Sequence, residues 1–192
     1  IRAHCQAGGE AWVLNDQTLM RHQGQRRENV IHVDNIPCTL RGAARHNIAN
    51  ALAASAAASA LGIGTQHIAA ALRSFGERPE DNPGRCERFQ LDHFDLVLDF
   101  AHNPAGVRAT LNLAKAMMHT NGYQRLCISI GQAGDRSDDA IEALSREVIR
   151  VTPDRVLLRS IDGYERGRQI DEVPKLMQRQ MSTMGFPLSQ TT

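Results

Sequence analysis

Three short segments in the second half of the chain gather side chains able to bind anions, shuttle protons or hold a substrate. The first is Asp99-Phe-Ala-His102-Asn103-Pro104, an acid followed by an imidazole and an amide. The second is Gly131-Gln-Ala-Gly134-Asp135-Arg136-Ser137-Asp138, a glycine-bearing turn with charges of both signs. The third, Asp162-Gly-Tyr164-Glu165-Arg166-Gly167-Arg168, concentrates arginine, whose planar fork suits carboxylate or phosphate oxygens. A fourth pattern lies earlier, in Arg45-His46-Asn47-Ile-Ala-Asn50, where the two asparagines share one helix face. Asparagine is a poor helix-interior residue. Either Asn47 caps the helix and Asn50 is merely exposed, or both amides reach toward a ligand. Each of the other segments also has a plain reading: Asp99 as a turn acid capping the next helix, His102 as a surface imidazole, the glycines serving only the turn, and the arginines as solvated charges.

The elements that must position these residues alternate. Leu96 to Phe100 is an apolar run interrupted at Asp99, and Val107, Leu111, Ala114 and Met118 then form a helical stripe. Leu126 to Ile130 reads as a second strand, followed by a helix marked by Ser137 with Ile141, Leu144 and Val148. Arg155 to Ser160 is a third strand, and Pro174 opens another helix. Strand and helix in alternation predict an α/β fold with a parallel sheet. Asp99, Gly134 and Ser160 should then meet at its carboxyl edge, where such sheets bind ligands. In the first half, strands are expected at Ala11 to Leu14, Asn29 to Val33 and Ile36 to Leu40, with an Ala-rich helix from Ala43 to Leu61 closed by Gly62. A second helix fits Gln66 to Phe75 with Thr65 as its cap. Glu77 to Gly84, charged and holding two prolines, reads as a domain linker.

The chain has 192 residues, 42% hydrophobic and 22% charged, with a mean hydropathy of −0.36, which fits a globular protein and excludes a membrane span. A net charge of +1 and 4% aromatic residues give neither the electrostatic footprint nor the stacking platform of a nucleic-acid binder. Lys115 and Lys175 are the only lysines, and neither follows a glycine-rich turn. A Walker-type phosphate loop is therefore missing from this sequence. Cys5, Cys38, Cys86 and Cys127 are too far apart for a paired-cysteine metal hook, so no metal site is expected and the thiols read as free, in a cytoplasmic protein. Ile1-Arg-Ala-His reads as a cut end.

Taken in order, His46-Asn-Ile-Ala-Asn50-Ala-Leu-Ala-Ala54, Pro83-Gly84-Arg85, Asp99-Phe-Ala-His-Asn-Pro104 and Gly134-Asp-Arg136 resemble the Mur ligase superfamily, over about Arg41 to Pro174. Within it, Gly131 to Asp138, and Tyr164 to Arg168 followed by Asp171-Glu-Val-Pro174, look most like the Mur-ligase-like half of cyanophycin synthetases. The resemblance implies the tail of a central domain over 1–76, a linker over 77–84 and a Rossmann-like C-terminal domain over 85–192, with a mostly parallel sheet. It implies an ATP-dependent amide ligase in which a carboxylate becomes an acyl phosphate and an amine attacks it; in cyanophycin synthetases, arginine joins an aspartate side chain.

By the same resemblance Arg85, Asp99 and His102 would be catalytic, and His46, Asn47, Asn50, Arg85 and Asp99 would bind ATP. Asn103, Asp135, Arg136, Glu165, Arg166 and Arg168 would place the amino-acid substrate. ATP and Mg²⁺ would serve the intact enzyme, which is compatible with a homo-oligomer, and none is expected on this piece. The partners implied are a nucleotide and an amino-acid or peptide substrate, with no nucleic acid and no membrane. The family's glycine-rich GKT loop and acidic Mg²⁺ residues are missing, and the sequence stops near Phe186-Pro-Leu, short of the family's usual end. The piece alone is therefore expected to be inactive. Alternatives are a superfamily ligase acting on a peptidoglycan precursor or a folate, and a noncatalytic nucleotide-binding or interaction module. The Tyr164 to Arg168 loop disfavours a diaminopimelate-adding enzyme, whose segment usually reads Asp-Asn-Pro-Arg. A dehydrogenase is disfavoured because no GxGxxG turn follows Leu96 to Asp99.

Overall fold

The structure, a computed structural model, describes residues 1–191, the side chain of Pro79 excepted. It divides into two compact units, one comprising Ile1–Phe89 with Leu96–Leu98, the other Gln90–Asp95 with residues from Asp99 onward.

In the first unit a short helix α1 (Arg2–Gln6) precedes three antiparallel strands, β1 (Glu10–Asn15), β2 (Thr18–Gln23) and β3 (Arg26–His32), in the order β1-β2-β3. Leu19 on β2 faces Ile31 on β3, and both join Val33, Ile36, Ile48, Ala51 and Ala69 in one core. The middle strand is absent from the sequence expectation, because Thr-Leu-Met-Arg-His-Gln has little β-branched character and is held as a strand by its two neighbours. Ile36 to Leu40, expected as a strand, instead contains a 3₁₀ turn at Pro37–Thr39. Proline opens that turn with the donor a sheet would need already missing. The buried Thr39 hydroxyl lies 2.8 Å from the carbonyls of Val33 and Ile36 and accepts the Gly42 N–H, which fixes the approach to α2 (Arg45–Ala60). Helix α3 (Thr65–Ser74) starts one residue earlier than expected, with Gly64 as its cap; the Thr65 hydroxyl donates instead to Glu28 at 2.6 Å. The segment expected as a linker has internal order, because the Asp81 carboxylate accepts the N–H groups of Gly76 and Arg78.

Strands β4 (Glu87–Gln90) and β5 (Asp95–Leu98) pair with each other across a tight turn in which Leu91 N–H donates to Phe94 at 3.0 Å. The expected sheet of three parallel strands is thus reduced to two among the described residues, β6 (Cys127–Ile130) and β7 (Arg155–Leu158), which run parallel. Leu96 and Leu98 of β5 are about half exposed, not buried as their apolar run suggests. A four-residue connection makes the local partner available at little loop-closure cost.

Helices α4 (Pro104–Asn121), α5 (Asp138–Arg150) and α6 (Glu172–Thr183) cover β6 and β7. Their starts follow local chemistry: Asn103 caps α4 with Pro104 in its first turn, and the Ser137 hydroxyl accepts the Ala140 N–H at the start of α5. Ile141, Leu144 and Val148 are fully buried, as their spacing predicts, against Val156, Met177 and Met181. On α4 the buried face is Val107, Leu111, Leu113 and Met117, so the expected Ala114 and Met118 flank the stripe instead of filling it.

Glu147 of α5 is buried and receives hydrogen bonds from Arg108 of α4 and from Arg150. The Arg108 guanidinium chiefly, with Arg150, holds its carboxyl below the usual range against the opposing effect of burial. A lowered folded-state value adds stability that is complete above the ordinary carboxylate range and fades as pH falls through the lowered value. Glu147→Gln is expected to lower Tm at pH 7 by about 2–4 °C, with the difference from wild type shrinking in acid. Equal Tm values at pH 7 would show that this network contributes nothing.

Candidate functional site

The carboxyl ends of β6 and β7 carry two of the segments singled out above. After β6 the backbone turns at Gly131 and Gly134, and both glycines are demanded by contact with the β7 loop. A Cβ on Gly131 would lie 2.6 Å from the Arg159 carbonyl oxygen, and one on Gly134 only 1.9 Å from that of Glu165. The loops therefore touch backbone to backbone: Gly134 N–H donates to Tyr164 at 2.9 Å, and Arg159 N–H donates to Ile130 at 3.0 Å.

Arg168 fastens this pairing. Its Nε donates to the Gly134 carbonyl at 2.9 Å, Nη1 to Glu172 at 3.0 Å, and Nη2 to the Arg136 carbonyl at 2.9 Å and to Asp138 at 2.7 Å. All three nitrogens are engaged and the side chain is only 18% exposed, so Arg168 organises the loops. Its hydrogen bond to Asp138 first, and that to Glu172, raise its already high pKa. Arg166 is the outward arginine. It pairs with Asp135 at 2.6 Å, lies 4.9 Å over the Tyr164 ring and remains about half exposed. The hydrogen bond from Arg166 holds the Asp135 carboxyl below the usual range. Glu165 accepts the Gly163 N–H, and Arg136 is exposed with its carbonyl taken by Arg168.

The Asp99 to Pro104 turn joins the same assembly through a residue that sequence reading passed over. Gln132, 92% buried by its 8% exposure, donates from Nε2 to the His102 carbonyl at 2.9 Å and accepts the Ala133 N–H at Oε1. Glutamine between two glycines carries no periodic signal, so only the contact reveals it. His102 Nδ1 lies 3.1 Å from the Phe100 carbonyl, with its ring tilted against that of Phe100. A carbonyl can only accept, so the proton sits on Nδ1 and the Nε2 lone pair is left to a ligand. Asp99 follows β5 directly and is partly buried; the cap of α4 is Asn103, not Asp99. Capping occupies the Asn103 Oδ1, leaving its NH₂ as the group able to meet a substrate.

In the first unit Asn47 is not a cap; that position is Ala44. Asn47 is buried, donates to the Cys38 carbonyl at 2.7 Å and accepts from Asn50 Nδ2 at 3.3 Å. Its amide thus orients the exposed Asn50, whose Oδ1 and second N–H can form a donor–acceptor edge. His46 Nε2 lies 3.2 Å from Cys86 Sγ, and the exposed Arg85 donates its N–H to the Asn82 carbonyl. Among the described residues no cluster of three or more His, Cys, Asp or Glu converges as a metal site, and no helix is long and apolar enough to cross a membrane.

The model of the Mur ligase glutamate ligase domain matches residues 84–184, more than half of the sequence. The chain belongs to the Mur ligase family. This Mur ligase chain is 34% identical to a cyanophycin synthetase of Crocosphaera subtropica over 177 residues, which are 92% of this chain and 20% of that protein. It is 33% identical to the cyanophycin synthetase of Geminocystis herdmanii over 90% of its own length and 19% of the relative's. A UDP-N-acetylmuramate--L-alanine ligase of Gloeobacter violaceus is 36% identical over 112 residues, 54% of this chain and 24% of that protein. The chain therefore spans about a fifth of the length of the cyanophycin synthetases it matches. Among solved structures, the UDP-N-acetylmuramoylalanyl-D-glutamyl-2,6-diaminopimelate--D-alanyl-D-alanyl ligase of Acinetobacter baumannii superposes with a TM-score of 0.53 at 18% identity, covering 97% of this chain and 35% of its own. That likeness shows the fold, a mixed α/β Mur ligase architecture.

Proposed function

We propose that this chain is part of an ATP-dependent amide ligase of the cyanophycin synthetase type, which joins arginine to an aspartate side-chain carboxylate. The observation that carries this reading is the arginine-fastened pair of loops after β6 and β7. Arg168 holds the Gly131–Asp138 and Tyr164–Arg168 segments together, and these are the segments that resemble the cyanophycin synthetase half. ATP would supply the phosphoryl group that makes the carboxylate a competent electrophile. Asn50 would present its amide edge to the adenine, with Asn47 and His46 shaping that turn, and Arg85 would lie on the phosphate side. Asp99 and His102 would line the nucleotide, His102 offering Nε2 as a proton acceptor. Arg166, Asp135, Arg136, Glu165 and the Asn103 amide would orient the incoming amino acid, and Arg168 would act through the loop geometry. Fixed cations near transferring phosphoryl and acyl groups stabilise the charge that develops there.

In a ligase containing this chain, Asn50→Ala is expected to raise the apparent KM for ATP about five- to tenfold, the effect of one lost hydrogen bond. The KM for the amino acid should move by less than about twofold. Steady-state titration of each substrate measures both. An equal rise in the two KM values would remove Asn50 from the adenine.

A further inference from the structure

We propose that Cys86 and His46 form an imidazole-assisted thiol, a modification site for small soft electrophiles and peroxides. The two residues are 40 apart in sequence, yet His46 Nε2 lies 3.2 Å from Cys86 Sγ. That places a proton acceptor against the only thiol of the four given a histidine side-chain hydrogen bond. Cys86 is held there by a strained backbone, with φ at +51° in a region that non-glycine residues avoid. Such strain persists where the surroundings over-determine a position. Here the turn before it is tied by Gly84 N–H to the Glu87 carboxylate and by Arg85 N–H to the Asn82 carbonyl. His46 stands in the first turn of α2, which has no acidic residue and no side-chain cap. The positive end of a helix and an adjacent imidazole both favour negative charge on sulfur. The ligase reading uses neither the thiol nor this pairing.

With an alkyl halide, Sγ attacks carbon, the S–C bond forms as the carbon–halogen bond breaks, and halide leaves while the thiol proton rests on His46. With hydrogen peroxide, Sγ attacks one oxygen and the O–O bond breaks. Sulfur is oxidised to the sulfenic acid, and the departing hydroxide takes the proton from His46 and leaves as water. Either adduct would displace the His46 ring and so disturb the turn that carries Asn47 and Asn50.

The test is limited labelling of the native 192-residue chain with iodoacetamide, resolved by cysteine. Cys38 is the comparator: it is less buried than Cys86, has no imidazole partner printed against its thiol, and burial pushes its pKa up. Cys86 is expected to react at least tenfold faster than Cys38. His46→Phe should bring it down to the Cys38 rate while the buried Cys5 stays unlabelled, which reports an intact fold. A Cys86 rate at or below that of Cys38 in the wild-type chain overturns the proposal without recourse to any variant. An unchanged Cys86 rate in His46→Phe, with Cys5 still protected, overturns it equally.

Discussion

Replacing Gly134 by alanine is expected to separate the two loops that follow β6 and β7. The added methyl would lie 1.9 Å from the Glu165 carbonyl oxygen and 2.8 Å from its carbon, distances that real side chains do not tolerate. Neither atom is the end of a flexible side chain, so the backbone itself must move. Movement breaks the Gly134 N–H bond to Tyr164 and draws the Gly134 carbonyl away from Arg168. Forced overpacking of this kind costs about 1–3 kcal/mol, and the upper end applies here because two hydrogen bonds go with it. In a ligase containing this chain the turnover should fall about a hundredfold, since displacements near 1 Å have that effect on positioned groups. Urea melts and steady-state rates measure the two consequences. A Gly134→Ala protein with wild-type stability and rate would mean that the loops do not touch.

Arg168→Ala should produce the second largest change. It removes four hydrogen bonds at once and strands Asp138, Glu172 and two carbonyl oxygens that now share one cation. Removing a partner from charged, mostly covered hydrogen bonds costs about 2–3 kcal/mol. The KM for the amino acid is expected to rise more than the KM for ATP, because the loops that move are those proposed to hold the amino acid. Arg168→Lys should not restore either quantity, since an ammonium cannot span the carbonyls of Gly134 and Arg136 with a planar fork. Arg166→Ala provides the contrast. Its exposed pairing with Asp135 predicts little change in stability, with any effect confined to the amino-acid KM. If Arg168→Lys behaves as wild type, point charge rather than fork geometry is what the loops require.

Which of these features were legible in the sequence follows from how local their causes are. Asn103-Pro104 and Ser137 announce helix starts by chemistry confined to one turn, and the structure has both caps in place. Ile141, Leu144 and Val148 announce a buried face by spacing alone. β2 and the Pro37–Thr39 turn escaped because their conformation is decided by neighbouring strands and by a missing proline donor. The pairing of β5 with β4, not with the parallel strands, is likewise a choice between partners that an apolar run does not encode. At the site, the residue types were visible and their division of labour was not. Arg166 and Arg168 are indistinguishable as letters, yet one faces solvent and the other binds four acceptors. Gln132 had no signal at all, because its importance lies in a single carbonyl thirty residues away.

The central claim, that this chain serves a ligase of the cyanophycin synthetase type, is tested most directly by following phosphate release and amide formation together in a ligase that contains it. The substrates are ATP, Mg²⁺, arginine and an aspartate-rich peptide primer. The account predicts that both arginine and primer are required and that one phosphate appears for each amide bond formed. Phosphate release that ignores arginine, or amide formation with a different amine in its place, would contradict it.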